Sequence, residues 1–228
     1  MRLNGLYIVI ELAMRKLADP LVEAYKKPLV LGSLREDVWY IPGARFILEH
    51  LSFSHFYRPG LPGGIFPFVW PGPRSKADLF YGRALDFQRA GKTAAAFVQL
   101  GRVAHLLTDM ACPVHAHRTA HATDPFEWWV EGNRKKLLAL EVPDLPTGEK
   151  ASDFIEGMAQ VTQAYRTDAT NHLPGMVLKK LGLLKPVKSK EAGEQAVALI
   201  PTAAAYTAAM LRLFVDQSGL RASLQEAS

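Results

Sequence analysis

The sequence predicts a globular, all-α fold, and three observations lead to this prediction. Apolar residues recur at helical spacing in several separate segments. No segment of any length shows the alternation of apolar and polar residues that a half-buried strand requires. A hydrophobic fraction of 49% and a charged fraction of 21% are typical of a globular protein. Because the composition does not break, we expect one compact multi-helix domain over residues 1–228.

The first helix is predicted over residues 6–18, where the apolar positions share one face and Asp19-Pro20 ends the segment. A short apolar segment, residues 28–37, then leads into a region rich in proline, glycine and aromatic residues that runs to about Pro73. So many turn formers predict a long structured loop, and loops of this length commonly carry function.

A helix is predicted after Ser75, a suitable N-cap, and it ends at Gly91. The next helix runs from about Lys92 to Met110 and is closed by Pro113, which lacks a backbone donor. Apolar residues surround most of its circumference, so we expect it to be buried on nearly every side. Further helices are predicted at about residues 127–140, 151–165 and 191–214.

The formal net charge is +5, with basic residues concentrated at 134–136 and 179–190. These runs lack the interleaved aromatic residues of a nucleic-acid groove, and a solvated basic face is the commoner interpretation. A positive exterior still attracts anionic phosphate esters and membranes. The single cysteine, Cys112, excludes an intramolecular disulfide.

The N-terminus resembles a signal peptide, but Glu11 interrupts the apolar run and no small-residue cleavage site follows. No other stretch approaches a transmembrane length of apolar residues. As written, the chain predicts neither a signal peptide nor a transmembrane segment, and hence a cytoplasmic location by default.

His105 and Asp109 stand four residues apart on the predicted buried helix, so their side chains share one face. This geometry suits two ligands of one ion, although an isolated pair is more often a core histidine beside a capping carboxylate. The continuation favours a metal site, because a proline-broken loop and the next helix supply further ligands: His115, His117, His121 and Glu127.

Imidazole and carboxylate ligands favour zinc, and the absence of a second cysteine excludes a thiolate-rich structural site. A set of His, His and Glu with an open fourth position is the composition of a catalytic zinc site. Elsewhere only Asp37 and the segment 54–57 offer similarly placed ligands.

Four segments resemble, in order, the motifs of the zinc-dependent bacterial phospholipase C family. They are residues 31–37, 54–59 and 100–115, and His121 with Phe126-Glu127. The fungal single-strand-specific nucleases share the fold of this family more distantly. The resemblance covers roughly residues 6–215, and its specific part is the block from His105 to Glu127.

The resemblance implies a first zinc ion held by Asp37, His55, His105 and Asp109. It implies a second held by His115, His121 and Glu127, with positions left for water. The family usually places the last histidine and its acidic partner about one helical turn apart, whereas His121 and Glu127 are further apart.

In the family, the aspartate matching Asp109 also bridges to a third zinc ion, held by an N-terminal tryptophan and a nearby histidine. Here the first tryptophan is Trp39 and the first histidine is His50. Three interpretations stay open: a chain that starts upstream of Met1 and is secreted, a two-zinc protein, or an impaired one. We expect the first.

The resemblance further implies hydrolysis of a phospholipid or similar phosphodiester by metal-activated water, with Asp37 as general base and transient membrane contact. The aromatic loop from Phe66 to Trp70 either lines the entrance or belongs to the core. Alternatives are a single-strand-nuclease-like phosphodiesterase and a non-catalytic zinc-binding or membrane-docking relative. We assign a supporting or surface role to His117, a capping role to Asp124, and structural roles to His50 and His172.

Overall fold

The computed structural model describes residues 1–36, 52–64, 71–119, 121, 124–168, 170 and 173–221. Among these residues there is no strand and the chain is 71% helical, which confirms the all-α prediction. The single domain over 1–228 stays a prediction. The helices are α1 (Leu3–Leu17), α2 (Pro20–Ala24), α3 (Lys26–Arg35), α4 (Pro73–Arg89), α5 (Thr93–Met110), α6 (Pro113–Ala116), α7 (Pro125–Gly132), α8 (Arg134–Leu138), α9 (Ala151–Thr162), α10 (Leu173–Lys180) and α11 (Ser189–Ser218).

Helix α5 lies at the centre, packed between α3 and α4 and also touching α9 and α11. Its burial on nearly every side agrees with the prediction, since every residue from Leu100 to Met110 is buried. Phe97 on this helix, Phe80 on α4 and Phe214 on α11 are among the largest fully buried side chains. The functional candidates on α5 therefore lie on a helix that is buried in the core.

Helix α11 has the length and a mean hydropathy of 1.5 that a membrane-spanning helix would need, which the sequence analysis did not anticipate. However, 67% of its most apolar window is buried inside the protein, against α1, α7 and other helices. That burial is typical of a core helix.

Several helix boundaries differ from prediction for local reasons. The predicted helix 127–140 divides at Asn133, whose side-chain amide donates to the carbonyl of Trp129. The N-cap position of α4 is Gly72, while the Ser75 hydroxyl donates to the Gly72 carbonyl from inside the first turn. The segment predicted only as apolar before Asp37 forms α3, and α10 was not predicted.

Two glycines allow α3 and α5 to approach closely. A Cβ at Gly32 would lie 1.9 Å from the carbonyl oxygen of Val98, and one at Gly101 would lie 2.0 Å from that of Leu29. No larger residue fits either position without separating the helices. This contact brings the carbonyl of Ser33 against His105, one turn after Gly101.

Candidate metal centre

A first group of metal-ligand side chains lies at the end of α5. His105 and Asp109 come from the last turns of this helix, and His55 comes from a 3-10 turn over Ser52–His55. Asp109 Oδ2 lies 2.9 Å from His55 Nδ1 and 3.2 Å from His105 Nε2. All three residues are buried, and one ligand atom from each lies within 4.8 Å of the others.

The ring of His105 is oriented by backbone. Its Nδ1 lies 2.8 Å from the carbonyl oxygen of Ser33, which only accepts hydrogen bonds, so Nδ1 carries the proton. The other ring nitrogen, Nε2, faces Asp109 Oδ2. Metal-bound histidines show this arrangement, in which a carbonyl fixes one nitrogen and the other faces the ion.

This pairing tests whether a metal fits. Asp109 Oδ2 is buried and lies within 3.2 Å of two imidazole nitrogens, His55 Nδ1 and His105 Nε2. Two imidazole nitrogens and one carboxylate oxygen, each a possible metal donor, thus converge in a buried space. Imidazole and carboxylate donors are the ligands that zinc prefers, so the donor set fits zinc.

A second group is formed by His115, His121 and Glu127. His115 Nε2 lies 3.6 Å from Glu127 Oε1, and His121 Nε2 lies 3.9 Å from Glu127 Oε2. Both rings are oriented in the same way as His105. The Nδ1 of His115 lies 3.1 Å from the carbonyl oxygen of His55, and the Nδ1 of His121 lies 3.3 Å from that of Thr119. Their Nε2 atoms therefore converge on one carboxylate.

Local structure explains how His121 and Glu127 meet despite their separation in sequence. Asp124 caps α7 and accepts a hydrogen bond from the backbone N–H of Glu127 at 3.1 Å, with Pro125 at the first helical position. Phe56 stacks on His115 with 4.7 Å between ring centroids and meets His121 edge-on at 6.1 Å. The capping role assigned to Asp124 agrees with this geometry.

Cys112 joins this second group, which the sequence analysis missed. Its sulfur is buried and lies within 4.8 Å of ligand atoms of His115 and Glu127. It contacts Asp124 Oδ1 at 3.7 Å. Burial, followed by the negative charge of Asp124, raises the pKa of this thiol well above its usual value. Its position three residues before His115 was the available signal.

Two carboxylates at the centre stay ionised. Burial acts to raise the pKa values of Asp109 and Glu127, but nearby positive groups outweigh it and hold both well below their usual range. These groups are the histidines and the amino nitrogen of Met1, which lies 2.7 Å from Asp109 Oδ1 and 3.2 Å from Glu127 Oε1. Burial acts to lower the pKa of His121, but the hydrogen bond and the negative charge of Glu127 outweigh burial and raise that pKa. Negative charge thus concentrates where a cation is expected.

Glu36 is a further buried carboxylate beside the first group, and sequence reasoning missed it although it adjoins Asp37. It accepts from Lys76 Nζ at 3.1 Å and from Arg102 Nε at 2.6 Å, and lies 3.8 Å from His55 Nε2. Burial would raise its pKa, but hydrogen bonding to His55 and the charges of Lys76 and Arg102 lower that pKa to about 2.

The structure brings together six of the seven predicted metal ligands, in two groups. The seventh, Asp37, lies outside the described residues, as do Trp39, His50, His172 and the aromatic residues from Phe66 to Trp70. His117 belongs to neither group, since its Nε2 lies 2.9 Å from the carbonyl oxygen of Tyr165 and burial lowers its pKa. This location agrees with the supporting or surface role assigned to it.

No family model and no curated protein matches the sequence. Among solved structures, the alpha-toxin of Clostridium perfringens is similar with a TM-score of 0.64 and 14% identity, over 94% of this chain and 63% of the toxin. The alpha-toxin of Clostridium absonum is similar with a TM-score of 0.62 and 14% identity, over the same shares. The chain therefore spans less than two thirds of the length of these toxins, and the likeness establishes the fold.

Proposed function

We propose that the protein is a zinc-dependent phosphodiester hydrolase of the phospholipase C type. One observation carries the proposal: His105, His115 and His121 each turn Nδ1 to a backbone carbonyl and Nε2 to a carboxylate. Metal-bound histidines show this orientation, in which a carbonyl fixes one ring nitrogen and the other faces the ion. The motif resemblance and the fold shared with two alpha-toxins support the same class of protein.

Two ions would be held by different residues. His55, His105 and Asp109 would hold the first zinc ion, and the resemblance adds Asp37 to these ligands. The second group would hold the second zinc ion. Zinc supplies a bound water with a pKa near 7 and neutralises charge on phosphoryl oxygens. Asp37 stays the proposed general base.

The chain contributes orientation and exclusion of water. The first group is buried on a core helix, so its donors are fixed before a substrate arrives. The Asp124 cap fixes Glu127, and the ring of Phe56 covers His115. An anionic diester would be drawn by positive charge at the ions, whereas the protein itself provides mainly carboxylates there.

The test starts with zinc content and diester hydrolysis. We expect about two zinc ions per chain and zinc-dependent hydrolysis of a chromogenic phosphocholine diester that a chelator abolishes and added zinc restores. Glu127→Gln should lose zinc and activity together. Glu131→Gln, one turn further along α7, is the matched control, because Asn4 keeps its bond to the backbone carbonyl of Glu131.

The outcomes separate the alternatives. Protein without zinc after metal-replete expression would contradict the proposal. Faster cleavage of single-stranded DNA than of the choline ester would indicate a nuclease-like enzyme. Bound zinc with no activity towards any diester, and no effect of Glu127→Gln on any rate, would indicate a non-catalytic relative.

A further inference from the structure

Exposed apolar side chains concentrate at α10 and the turn after it. Of eleven large apolar side chains exposed among the described residues, five lie between residues 176 and 183. Leu181 and Leu183 are 66% and 70% exposed. We call residues 175–188 the tip segment. Contiguous exposure of this kind is rare on soluble proteins unless the patch binds something.

The tip segment and its flank are also uniformly basic. Five lysines lie between Asp168 and Glu191, and no acidic residue lies between those two positions. Their charge equals the formal net charge of +5 of the whole chain, so the rest of the protein is balanced. All five side chains are exposed: Lys179, Lys180, Lys185, Lys188 and Lys190.

The base of this segment is anchored in the fold. Asp168 is buried, and its carboxylate accepts from the backbone N–H of Thr170 at 2.8 Å and from that of Val187 at 3.1 Å. Val187 is itself buried, and Arg166 donates to the carbonyl of Lys185. One carboxylate thus holds both ends of the excursion together, and its apolar residues project from a fixed base.

We propose that the tip segment docks on the surface of an anionic phospholipid membrane. Its apolar residues would enter the headgroup region while the lysines pair with lipid phosphates. A second copy of this chain fits poorly, since docking of two tip segments would bring four lysines against four. This inference deepens the proposed function and rests on it, because a phospholipid substrate would lie in the membrane surface on which the tip segment docks.

The test is sedimentation with vesicles at low and high salt. We expect the protein to bind phosphatidylcholine vesicles containing phosphatidylglycerol, and to bind pure phosphatidylcholine vesicles much more weakly. Lys179→Gln with Lys180→Gln should weaken binding about 30-fold. Leu181→Ser with Leu183→Ser should weaken it about 100-fold, because buried leucine surface is lost.

Matched controls come from exposed residues elsewhere. Leu79→Ser on α4, where the side chain is 47% exposed, should leave binding unchanged. So should Lys92→Gln with Lys135→Gln, which removes the same charge from other faces. Circular dichroism should show unchanged folding in every variant, because the altered side chains are exposed.

The inference is overturned if the tip variants bind as tightly as the wild type, or if binding ignores both lipid charge and salt. It is also overturned if the leucine variant abolishes a dimer seen in gel filtration, since the patch would then join two copies. The lipid phosphorus that stays in the vesicles is measured at the end, because its loss reports hydrolysis of the phospholipid. Docking without hydrolysis would contradict the proposed function alone, and hydrolysis without docking would contradict this inference alone.

Discussion

The two ligand groups are built differently. The first lies on a core helix, with His105 and Asp109 fully buried and its outer carboxylate, Glu36, neutralised by Lys76 and Arg102. The second lies on a proline-broken loop and a helix N-terminus, and its Glu127 side chain is 12% exposed. The first group is therefore held by tertiary packing. The second is held by the Asp124 cap of α7 and by the stacking of Phe56 on His115. We expect the second zinc ion to be removed first by a chelator.

The largest effect should come from exchanging one ligand in each group. His105→Ala should lower diesterase activity about 1,000-fold, because a loss of roughly 4 kcal/mol of charge stabilisation follows loss of the ion. His121→Ala should lower it less, about 100-fold, since Cys112 lies beside His115 and Glu127 and could replace the missing donor. Kinetics and zinc content check both values.

His117→Ala is the control for this pair, because its ring contacts the Tyr165 carbonyl and neither group. It should keep both zinc ions and the activity. Equal losses for His105→Ala and His121→Ala would remove the distinction between the groups.

Glu36→Gln should lower the free energy of unfolding by about 3 kcal/mol, since it leaves two buried cations without their anion. The folded pKa of Glu36, about 2, lies below its ordinary value of 4.5. Its contribution is thus complete above about pH 4.5 and is lost as the pH falls towards 2. Urea unfolding at several pH values measures the difference from wild type.

Glu194→Gln gives the contrast, because its exposed pair with Lys190 spans 3.9 Å and should be worth less than about 1 kcal/mol. A difference between wild type and Glu36→Gln that stays constant down to acid pH would contradict the assigned role of Glu36.

Gly101→Ala should destabilise the protein by about 2 kcal/mol, because its Cβ would meet the Leu29 carbonyl and push α3 away from α5. The Ser33 carbonyl would then move from His105, and zinc affinity of the first group should fall as well. Gly82→Ala is the control: nothing lies within 4 Å of its Cβ position in the interior of α4. It should stabilise by about 0.5 kcal/mol. Equal effects of the two changes would show that packing of α3 on α5 does not position the site.

The smallest effect concerns the second group. Asp124→Ala should lower stability by about 1 kcal/mol and zinc affinity of this group about tenfold, because Glu127 loses its cap. Asp153→Ala removes a comparable bond, from the backbone N–H of Lys150 at the start of α9, and should leave zinc affinity unchanged. If both variants bind zinc alike, Asp124 does not orient Glu127.

Local sequence rules predicted the helices that carry strong patterns. The i, i+4 spacing of His105 and Asp109 placed them on one face, and the apolar surround of α5 predicted its burial. The same rules missed α10, a short helix whose first turn contains Pro174 and Gly175, residues that are typical of turns. They also left open whether the histidines bind metal, because ring orientation depends on carbonyls far away in sequence.

By itself, the sequence determined the helical class, the central buried helix and six ligand candidates that the structure brings into two groups. Only the tertiary structure decided that Ser33 orients His105, and that Cys112 and Glu36 border the groups. The physical reason is that periodicity reports which face of a helix is apolar. Which distant carbonyl or carboxylate lies against that face depends on close helix packing, here permitted by Gly32 and Gly101.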